Sequence, residues 1–417
     1  MRPIIIILSL LLGLAIYFLW PVYGFFSHNG DAPLPPIGWM TLEGEAPTRS
    51  ELYDPAFAQA ADEAIDAIAS FRRDIQAPSF SAAVSVRGKL VWAGTAGWAD
   101  IARAEPATPS TQYGIGSTSK AITATALARL VDSDIVDLDA PIARYLGELP
   151  NEDWRSVTPR MLASHMAGIP HYGDNTNDPG IYHMIALRRH FDRLEDAVAL
   201  FDGSPLLFPP GTDFEYSSLG TVLLGRVMEA AAGIPYRQLI EREVLDPAGA
   251  KAAIVAPKRA DPADELATFY LREGERYRKW RAVDLSHRLP GGGYAATSSD
   301  LARIGSLWLD SDFIRGATRR EFWTPQVLSS GEVNEQGYGL GWRWREYQVD
   351  GVGLARNANH GGVTRGAQSW LLVFPDYDMA VAINMNMRTD EFAEFGMAYR
   401  PVFAAFAKAL NTSQLAE

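Results

Sequence analysis

Ser117 and Lys120 stand three residues apart in Ser117-Thr118-Ser119-Lys120, at the head of a stretch whose apolar periodicity predicts an amphipathic helix. On a helix, positions i and i+3 share one face a turn apart, which brings a hydroxyl and an amine within hydrogen-bond reach. A serine hydroxyl is a weak nucleophile until a neighbouring base takes its proton, and a desolvated lysine with a lowered pKa is such a base. At a helix N-terminus the developing negative charge also meets free backbone N–H groups and the positive end of the dipole. Many solvated helix faces carry the same pair, so the chemistry has to be specified by other groups.

Two further segments specify it. Tyr216-Ser217-Ser218 follows the Pro- and Gly-bearing loop 208–215 and precedes a helix predicted over 219–232. A phenol at such a junction is able to pass a proton to a leaving group and then to activate water. His360-Gly361-Gly362 lies between two β-like runs near the C-terminus. In this order the three motifs resemble the serine β-lactamase and penicillin-binding-protein superfamily, nearest its class C-like branch of esterases and D-specific peptidases. Tyr113-Gly114-Ile115-Gly116, the segments 162–170 and 290–301, and Tyr338-Gly339-Leu340-Gly341-Trp342 extend the resemblance over roughly residues 71–409.

That resemblance implies an α+β, β-lactamase/transpeptidase-like fold and hydrolysis through an acyl-enzyme. Ser117 is then the nucleophile, and Lys120 either takes its proton or holds Tyr216 as phenolate. Tyr216 protonates the leaving group. The oxyanion hole is the N–H of Ser117 with that of Val363, two donors of which losing one typically removes about 3 kcal/mol of stabilisation. Ser218, His360, Gly361 and Gly362 complete the substrate-binding side. Two of these depart from the family pattern: Ser218 stands where asparagine is frequent, and His360 where class C β-lactamases carry lysine. The shorter hydroxyl and an imidazole without permanent charge weaken the grip on a β-lactam's amide and carboxylate. The expectation is therefore a small-molecule ester or amide, or a peptide, handled by esterase or D-amino-acid peptidase chemistry. A D,D-carboxypeptidase or weak β-lactamase is the alternative within the class, and an acylated sensor or scaffold the alternative outside it. His360 is expected to hydrogen-bond Tyr216 or the substrate, and Gly361 and Gly362 to let a substrate backbone lie along the strand.

The rest of the chain sets the context. Its 417 residues, 47% of them hydrophobic, suffice for a large core, and the net charge of −12 with no basic block argues against nucleic acid. There is no cysteine, so thiolate metal sites and disulfides are excluded, and the seven histidines lack paired ligand spacing. Neither cofactor nor metal is expected.

No charged residue occurs between Pro3 and Ser27. Such a run is long enough to cross ~30 Å of hydrocarbon. Residues 1–26 are read as a transmembrane anchor, with a cleaved signal peptide as the alternative, 27–50 as a Pro-rich linker holding the domain off the membrane, and 51–411 as the hydrolase domain. Arg2 on one flank against Asp31, Glu43 and Glu45 on the other favours a domain outside the cytoplasm, periplasmic or extracellular. Oligomeric state has no signature in the sequence. Strands at 80–87, 90–96, 339–347, 351–359, 367–374 and 379–384 bracket a helical middle, which suggests one antiparallel sheet built from both chain ends with a helical lobe inserted. His183, Arg188, Arg189 and His190 sit in that lobe, on a surface helix or along the cleft. The charged run 272–281 reads as a solvated hairpin or helix face.

Overall fold

Ser79–Val86 is small or apolar at nearly every position and buried at all of them, as a strand covered on both faces must be. Its partner Lys89–Asp100 is reached through Arg87 and Gly88, whose positive φ values of 50° and 74° make a tight hairpin turn. The computed structural model describes residues 2–42, 44–255 and 265–414. Along the chain, the strands that matter for the site are β1 (Trp39–Thr41), β2 (Thr48–Leu52), β3 (Ser79–Val86), β4 (Lys89–Asp100), β5 (Tyr270–Glu273), β6 (Arg276–Lys279), β7 (Arg343–Val349), β8 (Gly353–Thr364), β9 (Ala367–Phe374) and β10 (Met379–Met385). The helices are α1 (Arg2–Asn29), α2 (Ala58–Asp74), α3 (Ser119–Asp132), α4 (Asp178–Ala186), α5 (Ser218–Ala232), α6 (Ser298–Ser306) and α7 (Tyr399–Gln414).

The main sheet runs β7-β8-β9-β10-β3-β4-β2, with the two-residue strand Glu105–Pro106 added to β4. All pairings are antiparallel, and β10 against β3 (Ala382 opposite Ala83) is where the two chain ends join. This is the predicted α+β arrangement, with the helical lobe inserted between β4 and β7. The period of two along the strands builds two cores. Val381, Ile383, Phe80 and Val84 pack with Ala64 and Ile68 of α2 and Phe403 and Phe406 of α7. Ala380, Ala382, Ala83 and Leu371 face the other way, against Leu301 and Ile304 of α6 and the α3–α5 lobe. The small side chains on this second face let α6 lie close: a Cβ on Gly305 would sit 3.0 Å from that of Ala380.

Several boundaries differ from the sequence reading. β8 continues five residues past Asn359 to Thr364, because His360 to Thr364 pair with Leu371 to Ala367 across β9. A glycine-rich run carries no strand pattern, and only the partner strand holds it extended. Residues 339–342 stay outside β7, with Gly341 at φ +77°. The chain closes with a short helix, Phe392–Gly396, followed by α7. The charged run at 272–281 is a hairpin, β5 turning into β6.

The stretch 27–50 is not a free spacer. α1 runs on to Asn29, β1 pairs with β6 (Trp39 opposite Arg278), and β2 pairs with β4 (Thr48 opposite Ala96). α1 is long and apolar enough to cross a membrane. Its residues 4–20 are exposed, whereas Pro21, Ser27 and His28 are buried against the domain.

Candidate active site

Gly116–Thr118 forms a single 3-10 turn that feeds directly into α3 and carries Ser117 at the surface of the cleft. Two glycines allow this turn to touch the end of β8. Gly116 has φ +49°, and a Cβ there would meet the Val363 carbonyl oxygen at 2.5 Å and its nitrogen at 2.9 Å. A Cβ on Gly362 would meet the Ile115 carbonyl oxygen at 1.9 Å. Thr118 fastens the contact, its hydroxyl donating to the carbonyls of His360 and Ser369 at 3.3 Å each.

Lys120 is buried to 2% exposure, and its Nζ lies 3.3 Å from Ser117 Oγ, 2.9 Å from Ser218 Oγ and 2.7 Å from the Gly291 carbonyl oxygen. Burial pulls its pKa down to about 7, with the Arg343 charge acting in the same direction. A neutral amine has two N–H bonds and one lone pair. The Gly291 carbonyl and Ser218 Oγ, the two nearer partners, take the N–H bonds, which leaves the lone pair for the Ser117 hydroxyl proton.

Tyr216 caps the arrangement, its ring centroid 4.8 Å from Lys120 Nζ. Burial pushes the phenol's pKa up, opposed by the Arg343 guanidinium, 5.5 Å from the ring, and by the Ser117 hydroxyl. His165 lies behind it, ring to ring at 4.3 Å, and accepts the Ser217 N–H through Nδ1 at 3.3 Å. Burial holds His165 well below the usual imidazole pKa. The imidazole thus satisfies the backbone at the start of the α5 junction.

The structure brings Ser117, Lys120, Tyr216, Ser218 and the β8 strand end together, but three expected roles change. His360 is wholly buried and makes no hydrogen bond to Tyr216. Its Nδ1 lies 2.8 Å from the Gly361 carbonyl oxygen, so that nitrogen carries the proton, and Nε2 accepts from the Tyr338 hydroxyl at 2.8 Å. With both nitrogens engaged, the imidazole braces Tyr338. Ser218 is turned toward Lys120, and its N–H donates to His171 Nδ1 at 3.3 Å. Gly361 and Gly362 make room for protein: a Cβ on Gly361 would lie 2.5 Å from the Phe392 ring, and Gly362 abuts the turn that carries Ser117. Gly362→Ala is therefore expected to separate β8 from Ser117 and lower turnover about a hundredfold, read from kcat on a chromogenic ester with a circular-dichroism control for folding.

Beside Ser117 opens a cavity of about 180 Å³ whose wall includes His171, Tyr172, Val363, Arg288, Arg365 and Arg388. The sequence reading missed these three arginines, although Arg288 stands two residues before the segment 290–301 and Arg365 three after His360-Gly361-Gly362. Arg288 is buried and its guanidinium lies 3.8 Å from the Tyr172 ring centroid. Burial, with Arg288, Arg281 and Arg388 nearby, lowers the pKa of Arg365 to about 9. His183, Arg188, Arg189 and His190 do not line this cavity. Among the described residues no group of three or more His, Cys, Asp or Glu is arranged to hold a metal ion.

The family model for beta-lactamase matches residues 64–405, which contain every group of this site. The chain belongs to the beta-lactamase family. It is 26% identical to bovine (Bos taurus) serine beta-lactamase-like protein LACTB, mitochondrial, over 79% of this chain and 74% of that protein. With esterase EstB of Burkholderia gladioli it shares 30% identity over 50% of this chain and 54% of the esterase. Among solved structures, the fold is that of SurE (TM-score 0.67, 24% identity, 84% of this chain and 76% of that one). It is also that of the D-amino acid amidase of Ochrobactrum anthropi SV3 (TM-score 0.65, 20% identity, 84% and 99%).

Proposed function

We propose that the protein is a serine hydrolase acting through an acyl-enzyme on small esters or amides that carry a negatively charged group. The observation that carries this reading is Lys120, buried and pulled toward neutrality within 3.3 Å of Ser117 Oγ. In the first step Ser117 Oγ bonds to the substrate carbonyl carbon while its proton passes to Lys120 Nζ. The oxygen of the tetrahedral intermediate accepts from the N–H groups of Ser117 and Val363, whose peptide lies against Gly116. Tyr216 donates a proton as the C–O or C–N bond breaks, and the phenolate is reprotonated by the Lys120 ammonium that holds the serine proton. Water then attacks the acyl carbon as it gives a proton to Lys120, and that proton returns to Ser117 Oγ as the acyl–Oγ bond breaks and the acid leaves. Relatives named as an esterase, as penicillin-binding proteins and as a D-amino acid amidase agree with an acyl-transfer site and differ in substrate.

Arg288, Arg365 and Arg388 give the substrate its charge, and a peptide's terminal carboxylate is one such group, which supports a D,D-carboxypeptidase as the second reading. Arg388→Gln is expected to lower the ratio of kcat/KM for nitrophenyl hemisuccinate over nitrophenyl acetate about fivefold, the size of one exposed, screened charge contact of about 1 kcal/mol. α1 serves as membrane anchor, with the domain on the extracytoplasmic side.

The test is time-resolved hydrolysis of nitrophenyl acetate by the full chain, with intact-mass spectrometry of the quenched reaction. An enzyme shows sustained turnover and an acetyl adduct that forms and decays. A single stoichiometric burst with a permanent adduct makes the protein an acylated sensor. The pH profile is a second check. Lys120 must be unprotonated to act, so kcat/KM is expected to rise with pH through about 7 and level above it. A rate flat from pH 5 to 9 would remove Lys120 from the proton transfer.

A further inference from the structure

The C-terminal half of α1 does not stand clear of the domain. Tyr182 of α4 donates to the Phe18 carbonyl at 3.4 Å and its ring lies 5.9 Å from that of Phe18. Arg188 donates to the Tyr17 carbonyl at 3.2 Å. Between this stretch of α1 and the β6 strand lies a cavity of about 470 Å³. Its wall carries four cationic side chains, Arg188, Arg278, Lys279 and Arg281, together with the aromatic residues Trp20 and Tyr23, and no Asp or Glu. It shares no lining residue with the cleft at Ser117. Four basic groups around one cavity are unexpected in a chain of net charge −12.

Its depth along α1 indicates what the cavity meets. About 20 helical residues cross the hydrocarbon layer. Counted from Ile4, where the apolar run of α1 starts, the helix leaves hydrocarbon near Tyr23, one side chain of the cavity wall. Trp20 and Tyr23, rings 5.7 Å apart, are the amphipathic aromatics that settle at the interface. The basic groups therefore stand at the level of phospholipid phosphates, with exposed Tyr17 and Leu19 below them to meet acyl chains. Arg281 is already committed in part, its two terminal nitrogens donating to the carbonyls of Ile185 and Ala186. Carbonyl partners orient the guanidinium without neutralising its charge.

We propose that this cavity binds the phosphate headgroup of one anionic phospholipid, at a site separate from the catalytic cleft, and so fixes how the domain sits on the bilayer. The inference rests on α1 being retained as the membrane anchor. The shared chemistry is a phosphate monoanion or diester, and the lipid source is favoured because the pocket opens beside an apolar helix.

Two experiments separate the inference from the anchor reading. Flotation of the full chain with phosphatidylcholine vesicles tests the anchor alone, and a chain that stays in the aqueous layer refutes that reading. Native mass spectrometry of the detergent-solubilised full chain, titrated with phosphatidylglycerol or phosphatidylcholine, tests the site in either case. The expected result is one phosphatidylglycerol retained at least tenfold more tightly than phosphatidylcholine. R188Q/K279Q should weaken it about 25-fold, near fivefold per charge removed, with nitrophenyl acetate turnover unchanged. K279Q alone, at an exposed strand position, is the second variant should the double one fold poorly, and should lose about fivefold. Equal retention of the two lipids, or undiminished binding in the variants, overturns the proposal. Glycerol 3-phosphate binding as tightly as the lipid also overturns it, assigning the pocket to a soluble anion.

Discussion

Ser117→Ala is expected to lower nitrophenyl ester turnover by roughly four to six orders of magnitude, the range seen when the nucleophile of a serine hydrolase is removed. The fold should be untouched. Ser117 is only partly buried, its hydroxyl is the most distant of the three Lys120 partners at 3.3 Å, and the turn is held by Thr118 and by the glycine contacts with β8. An unchanged melting temperature with no acetyl adduct would place the chemistry on Ser117. Residual turnover within tenfold of the parent protein would mean that another group reacts.

Lys120→Met should be nearly as damaging to turnover, and it should also change how stability depends on pH. The ammonium is disfavoured by burial in the folded state, with a pKa of about 7 against the ordinary lysine value in the unfolded chain. A group whose folded pKa is depressed in this way binds more protons when unfolded. Between pH 7 and about 10.4 the unfolding free energy of the parent protein therefore rises with pH, by up to roughly 1.4 kcal/mol per unit from this one residue. Below pH 7 lysine is charged in both states and the full burial penalty applies. The methionine variant lacks the titration. Denaturant unfolding at pH 7 and pH 9 should show the parent protein gaining on the variant by a few kcal/mol, and parallel curves would sink the case for a buried, near-neutral Lys120. Methionine leaves Ser218 Oγ and the Gly291 carbonyl without the amine they share, which lowers the variant's stability at both pH values and leaves the slope unaffected.

The candidate catalytic groups were legible in the sequence because their signals are local. Ser117 and Lys120 are joined by one helical turn, and Tyr216 by a loop–helix junction whose serine, Ser217, caps the helix by accepting the Gly220 N–H at 2.9 Å. The two-ended sheet was legible for a related reason: strands with a buried small or apolar character on both sides of a helical middle leave little other choice of layer order. β8 was read five residues short, since Gly361 and Gly362 have no side chains to show a strand pattern, and pairing with β9 decides the matter.

What a side chain faces is another matter. From the sequence, His360 stood for the lysine of a β-lactamase, yet its partners are Tyr338 and its own neighbour's carbonyl. Ser218 looked like a substrate group and instead anchors Lys120. The cleft arginines lie at positions 288, 365 and 388, separated by as many as a hundred residues of chain, and no spacing rule links them to Ser117. The sequence by itself determined the candidate triad of Ser117, Lys120 and Tyr216, along with the family and the apolar helix, because each depends on periodicity or on a few adjacent residues. Only the tertiary structure decided that Lys120 is dry enough for its pKa to fall to about 7, that three arginines share the cleft, and that α1 lies against a basic cavity. Burial and electrostatic environment are sums over neighbours distant in sequence, and a linear chain holds no local record of them.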